Sequence, residues 1–199
     1  MILNSLLDNL ILFDQQLFLK INTQWTNSFC DFVFPAWRNA KTWIPMYALI
    51  IMYTAYKYKI NVWKWILGAA ILVLISDQFS SHLIKPLVGR LRPCNEPALE
   101  GMMRLLVNRS PGFSFTSSHA CNHFAVAFFF HKTLRPFLGK WGLLFFVWAA
   151  TISYGQVYVG VHYPLDITCG AILGSVLGMI FANFFNKKIL PFDKFSVKE

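Results

Sequence analysis

Charge is scarce in this chain. Only 14% of its 199 residues are Asp, Glu, Lys or Arg, against 56% that are hydrophobic, and the mean hydropathy is positive. That balance excludes both an ordinary soluble domain and a disordered chain. It points to the membrane class, at a length that allows one domain of several spans. Acidic residues are the rarer sign, 9 against 18 basic ones, leaving a formal charge of +9. In a soluble protein that excess would suggest nucleic acid. Here much of it stands at the ends of apolar segments, so the expected partners are the bilayer and lipid phosphate head groups, with no nucleic acid. The oligomeric state is not legible. The four cysteines, Cys30, Cys94, Cys121 and Cys169, have no C-x-x-C spacing, which removes thiolate metal clusters and dithiol redox motifs. Cys30 and Cys94 could share one face, but free thiols are expected. No internal repeat or low-complexity segment occurs. Met1-Ile2-Leu3-Asn4 lacks the basic region of a cleavable signal, so the first span is expected to direct insertion itself.

Long apolar runs are what the chain has instead. Five segments, 43–58, 62–83, 118–134, 141–159 and 164–186, approach the ~20 residues of a helical crossing. Before them, Leu3, Leu6, Leu7, Leu10, Phe13, Leu17 and Ile21 recur at helical spacing with Asp8, Asp14, Gln15 and Lys20 interleaved. This predicts an amphipathic helix in the interface; the alternative is a sixth span with a polar inward face. A short helix is expected over 28–37, closed near Pro35. The fold class is therefore all-α, a polytopic membrane helical bundle. Residues 1–42 are read as N-terminal interfacial helices, 43–186 as the transmembrane domain with one long polar loop at 84–117, and 187–199 as a basic cytoplasmic tail. Trp43, Tyr58, Trp63, Trp141 and Tyr163 near span ends suit an interfacial aromatic belt.

Orientation follows from the cations. Lys57, Lys59 and Lys64 flank one turn, Lys132, Arg135 and Lys140 another, and Lys187, Lys188, Lys194 and Lys198 follow the last span. Alternating crossings put these groups together on the cytoplasmic side. Lys85–Arg109, His119 and His162–Asp166 then share the opposite face.

Three clusters on that face carry chemistry. The first is Lys85-Pro86-Leu87-Val88-Gly89-Arg90-Leu91-Arg92-Pro93. Cations ending a span are costly unless they snorkel or meet an anion, and an Arg fork matches phosphate oxygens. The second is Thr116-Ser117-Ser118-His119 before an apolar run. Thr116 or Ser117 suits an N-cap, and a helix start offers free N–H groups to an anion. The third is Gln156 to His162-Tyr163-Pro164-Leu165-Asp166. Pro164 suits a first helical turn, and Asp166 lies within reach of the His162 imidazole. A carboxylate on Nδ1–H sets the tautomer and the basicity of Nε2, as a nucleophilic histidine requires. Structural roles compete throughout: snorkelling for the cations, capping for Asp166, a buried brace for Asp77, packing for His82 and His131. His119 and His123 are spaced i, i+4, but no carboxylate or thiolate has matching spacing, so no metal and no cofactor is expected.

In this order the clusters resemble the membrane branch of the type 2 phosphatidic acid phosphatase superfamily, whose signature is K-x6-R-P, then P-S-G-H, then S-R-x5-H-x3-D. Lys85, Arg92 and Pro93 match the first part. Ser117 and His119 match the second, with Thr116 and Ser118 in place of Pro and Gly. His162 and Asp166 match the third, with Gly155 and Gln156 in place of Ser and Arg. The resemblance implies a helical bundle and a metal-independent lipid phosphatase working through a phosphohistidine. His162 is the implied nucleophile, Asp166 its orienting carboxylate and His119 the acid and base. Lys85, Arg92, Ser117 and the Ser118–His119 N–H groups are the implied phosphate ligands. Gln156 is kept as a phosphate ligand that can donate hydrogen bonds but has no charge, and Arg90, Arg104 or Arg109 are the candidates to supply the missing cation. The implied substrates are a prenyl diphosphate (slightly favoured), phosphatidylglycerol phosphate, phosphatidate or a lipid A-type phosphate, met on the periplasmic face of a bacterial inner membrane. A non-catalytic binder or transporter of anionic lipids, and transfer to an acceptor other than water, are the alternatives.

Overall fold

The computed structural model describes residues 2–190, and side chains from Leu6 onward. Most of the expected basic tail lies outside the described residues. Among those residues every regular element is helical. Helix α1 (Ile2–Leu19) ends in a widened turn, Lys20–Gln24, and is followed by α2 (Ser28–Trp37). The Asn27 side chain caps α2 by accepting from the Cys30 N–H at 2.8 Å. Helix α2 spans the residues expected and closes at Trp37, just past Pro35. Helix α3 (Ile44–Tyr58) pairs with α4 (Val62–Asp77), and α4 widens through Gln78–Ile84 into the short α5 (Lys85–Val88). The polar loop therefore begins one turn later than the composition suggests. Helix α6 (Ser118–Leu138), α7 (Leu144–Tyr158) and α8 (Pro164–Phe184) complete the bundle.

Among the described residues three helical stretches are long and apolar enough to cross a membrane: Ala40–Leu99, Ser118–Tyr158 and Pro164–Ile189. Each of the first two contains a packed pair, α3 with α4 and α6 with α7. The pairs are joined where the backbone takes positive φ, 50° at Lys59 and 52° at Gly139. Large apolar side chains such as Leu49, Met52, Leu67, Leu74, Ile172 and Ile180 remain exposed on the outside. That pattern suits a protein whose solvent is hydrocarbon.

The closest packing is between α6 and α8. Gly170, Gly174 and Gly178 form one stripe along α8. A methyl at these positions would meet the carbonyl oxygens of Ser117, Cys121 and Ala125 at 2.6, 2.0 and 2.5 Å. Only hydrogen allows this approach, and in a membrane such backbone proximity drives association. The consequence reaches the outer end of the bundle. There the Ser117 N–H donates to the Asp166 carbonyl at 3.0 Å, joining the starts of the two helices. At the other end Trp65, Phe129, Phe130, Leu134 and Phe185 form the apolar core. Thr133 ties it together, accepting from Trp65 Nε1 at 2.8 Å on its hydroxyl and from the Tyr58 hydroxyl on its carbonyl.

Candidate active site

The site is assembled where α5, α6 and α8 begin or end. Asp166 stands in the first turn of α8 and is fully buried. Its Oδ2 accepts from the Tyr163 N–H at 2.9 Å, and the Asp166 N–H donates back to the Tyr163 carbonyl at 3.1 Å. The same Oδ2 lies 3.3 Å from His162 Nδ1, while Oδ1 accepts from Arg90 at 2.9 Å. Capping and orientation, posed as rival roles in the sequence, belong to one carboxylate.

The tautomer of His162 follows from its partners. Arg92 Nη1 lies 3.1 Å from Nε2. A guanidinium only donates, so Nε2 must accept and carries no proton. The ring proton is then on Nδ1, donated to Asp166. Burial pushes the His162 pKa down to about 4, against the opposing pull of the Asp166 hydrogen bond and charge. The imidazole is neutral near pH 7, with its lone pair on the nitrogen that faces Arg92.

Arg92 is held by the Pro111 and Val161 carbonyls, both at 3.2 Å. Lys85 is half-buried, and the charges of Arg92, Asp77 and Asp166 all act on it. Between them α5 ends at Gly89, whose φ of 64° lets the chain turn inward. Arg90 follows, with its guanidinium 3.8 Å from the centre of the Tyr163 ring. It does not stand with Lys85 and Arg92 as a free cation: it pairs with Asp166 at 2.9 Å and with Asp14 at 2.6 Å. The other oxygen of Asp14 accepts the Leu165 N–H at 2.8 Å, so α1 buttresses the start of α8.

At the start of α6, Ser117 is the N-cap, with its hydroxyl accepting from the Ala120 N–H at 3.4 Å. The Ser118 hydroxyl is bonded to Ser80 and Ser81 at 3.0 and 2.8 Å. The Ser118 and His119 N–H groups have no intrahelical acceptor, as in any first helical turn. His119 stands close enough to Arg38, His162 and Lys85 for their charges to act on its ring. His123 donates Nδ1–H to the His119 carbonyl at 2.7 Å and packs on Trp148. Asp77 accepts from Ser81 and Asn122.

His119 and Asp77 line a cavity of about 280 Å³ between α3, α4, α6 and α7. Tyr47, Val73 and Val126 are shared with an apolar groove of about 410 Å³ that runs on to Trp65 and Phe130. The arrangement provides an oriented neutral imidazole, several cations and a second histidine that lines an adjoining cavity.

A profile of the PAP2 superfamily matches residues 63–190. The chain belongs to this superfamily. A lipid A 4'-phosphatase of Bacteroides thetaiotaomicron is 36% identical over 173 residues, covering 84% of this chain and 75% of that protein. An undecaprenyl-diphosphatase of Sulfolobus acidocaldarius is 30% identical over 139 residues, covering 69% and 61%. The crystal structure of a PAP2 type phosphatidylglycerolphosphate phosphatase from Bacillus subtilis shares the fold. Its TM-score is 0.64 over 92% of this chain and 90% of that one, at 23% identity.

The PAP2 match begins at Trp63, and three residues that shape the site lie before it. Asp14, Asn22 and Arg38 were not singled out as site residues from the sequence. Asn22, fully buried, accepts the Arg104 N–H at 2.7 Å and donates to the Arg104 and Tyr158 carbonyls at 2.9 and 2.8 Å. It pins the polar loop to the end of α7. Arg104 itself is paired with Asp31 at 2.5 Å, and Arg109 is exposed on the loop. The one available signal was an acidic residue, Asp14, on a helix otherwise rich in leucine.

Proposed function

We propose that this PAP2 protein is a membrane lipid phosphatase that works through a phosphohistidine on His162. The observation that carries the reading is the His162 ring held between Asp166 and Arg92 with Nε2 unprotonated. Nε2 forms a bond to phosphorus as the P–O bond to the lipid breaks, and His119, held as imidazolium once the phosphate anion offsets the cations around it, gives its proton to the departing oxygen. His119 then takes a proton from water, whose oxygen attacks phosphorus and breaks the P–N bond. Lys85, Arg92 and the Ser118 and His119 N–H groups hold the phosphate oxygens as charge builds. Ser117 supports them as the cap of α6, and Ser118 by its tie to Ser80 and Ser81.

The substrate reading favours a phosphorylated glycolipid of the lipid A type. The relative with that name matches more of this chain, at higher identity, than the undecaprenyl-diphosphatase does. This displaces the slight preference for a prenyl diphosphate drawn from the chain's small size. The second reading keeps a prenyl diphosphate, on the strength of that relative. Five crossings, with α1 and α2 at the outer interface and the site facing the periplasm of a bacterial inner membrane, fit the lysine clusters.

The test is phosphate release by purified protein in detergent with EDTA present. The panel is a lipid A-type 4'-phosphate, undecaprenyl diphosphate, phosphatidylglycerol phosphate and phosphatidate. The glycolipid phosphate should turn over fastest, and His162→Ala should abolish release. A wild-type protein inert toward every substrate would overturn the hydrolase reading.

A further inference from the structure

Gln156 stands where the PAP2 signature has arginine, and the site would be short of one cation unless another element supplies it. The three loop arginines that the sequence offers as substitutes do not. Arg90 is committed to Asp14 and Asp166, Arg104 to Asp31, and Arg109 is exposed on the loop.

Arg38 closes α2, its N–H bonded to the Phe34 carbonyl at 3.2 Å. Its side chain is half-buried, and Nε donates to Gln156 Oε1 at 3.0 Å. That is its one side-chain hydrogen bond among the described residues, and no carboxylate pairs with it. Both terminal NH2 groups are left as donors. Gln156 is fully buried, and its Nε2 also has no acceptor among the described residues. The amide cannot be turned round, because Nε2 would then face a guanidinium that only donates. The charge of Arg38 acts on both His119 and Arg92, so it shares their locality. Arg92 thus repels both Arg38 and Lys85, and of the three only Arg38 has no carboxylate acting on it.

We propose that Arg38 supplies the second phosphate-binding arginine of this protein, beside Arg92, transposed from α7 to the end of α2 and positioned by Gln156. With Nε on the amide, the two NH2 groups form the fork that grips a tetrahedral phosphate through two oxygens. Gln156 keeps the place of the missing arginine as a positioning residue. This rests on the phosphatase reading above.

The experiment compares wild type with Arg38→Ala, Arg38→Lys, Arg38→Gln and the exchange Arg38→Gln/Gln156→Arg. Each is assayed for phosphate release from a lipid A-type phosphate and for orthovanadate binding by calorimetry. Melting in detergent serves as the fold control. Arg38→Ala should lower kcat/KM by about 10²–10³-fold and weaken vanadate binding at least tenfold. Arg38→Lys should fall between the two, because a point charge lacks the fork. The exchange should recover at least tenfold over Arg38→Gln, which a merely structural role for Arg38 does not produce. Arg38→Ala within threefold of wild type in both readouts overturns the proposal while leaving the phosphatase reading intact. If Arg38→Ala does not fold, Arg38→Lys and the exchange decide: full activity in the former, or no recovery in the latter, overturns it. Should the wild type release no phosphate, the vanadate affinities still decide whether Arg38 binds the anion.

Discussion

At the scale of single residues, the proposed chemistry rests on how Asp166 and Arg92 divide the two nitrogens of His162. Asp166→Asn removes the acceptor that selects the tautomer, and the amide can present N–H to Nδ1 instead. A kcat loss of about 10²–10⁴-fold is expected in phosphate-release assays, with the protein still folded. The pH dependence has a defined sign. The His162 pKa, about 4 in the fold, lies below the ordinary 6.5. The proposed nucleophile stays neutral until pH falls through about 4, and kcat/KM should lose it only below that. Stability behaves oppositely to a salt-bridged histidine. Between pH 6.5 and 4 the unfolded chain takes up a proton that the folded chain refuses, so His162 makes the protein less stable as pH falls through that window. Asp166→Asn removes a hydrogen bond and a charge that raise the pKa, so the acid limb should move to lower pH.

At the scale of elements, two contacts set the geometry. The glycine stripe of α8 brings α6 close enough for the Ser117–Asp166 bond. Gly174→Ala places a methyl 2.0 Å from the Cys121 carbonyl. The helices must separate, at a cost of about 1–3 kcal/mol. Melting in detergent should drop and turnover should fall with it. Ile172→Ala, on the exposed side of the same helix, should change neither. The second contact is α1 against α8. Asp14 is 1% exposed and Arg90 18%, so breaking this pair leaves charge with little water to solvate it. Asp14→Ala should destabilise by about 3 kcal/mol. It should also lower kcat more than it raises KM, because Arg90 and Asp166 lose their brace while the proposed phosphate ligands remain.

At the scale of the whole molecule, the cationic groups divide between two ends. Lys59 lies at the α3–α4 turn and Arg109 on the long loop. In intact spheroplasts, a membrane-impermeant maleimide should label Arg109→Cys above the background of the four native thiols. Lys59→Cys should be labelled only after permeabilisation. The reverse pattern would turn the protein over and place the site in the cytoplasm. The apolar groove along Trp65 and Phe130 adjoins the His119 cavity through Tyr47, Val73 and Val126 and gives a bound lipid tail somewhere to lie. A water-soluble phosphomonoester without a tail should therefore be a much poorer substrate than its lipid counterpart.

Composition and spacing alone determined the membrane class, the helical periods and the three clusters. Each depends on neighbours a few residues away, and hydrocarbon leaves the backbone few alternatives to helix. Helix bounds came within a few residues, except where α4 widens and runs on into α5. The sharing of Asp166 between cap and histidine was nearly legible, because His162 and Asp166 lie one helical turn apart. Only the tertiary structure decided the rest. Asp14 meets Leu165 across 151 positions, and Arg38 meets Gln156 across 118. Nothing local in the sequence carries such pairings. They exist because glycine-mediated packing fixes where α8 starts, and because the N-terminal helices then fold over that end. The same packing explains Arg90, which reads as a phosphate ligand by its place in the motif but finds two buried carboxylates before any substrate arrives.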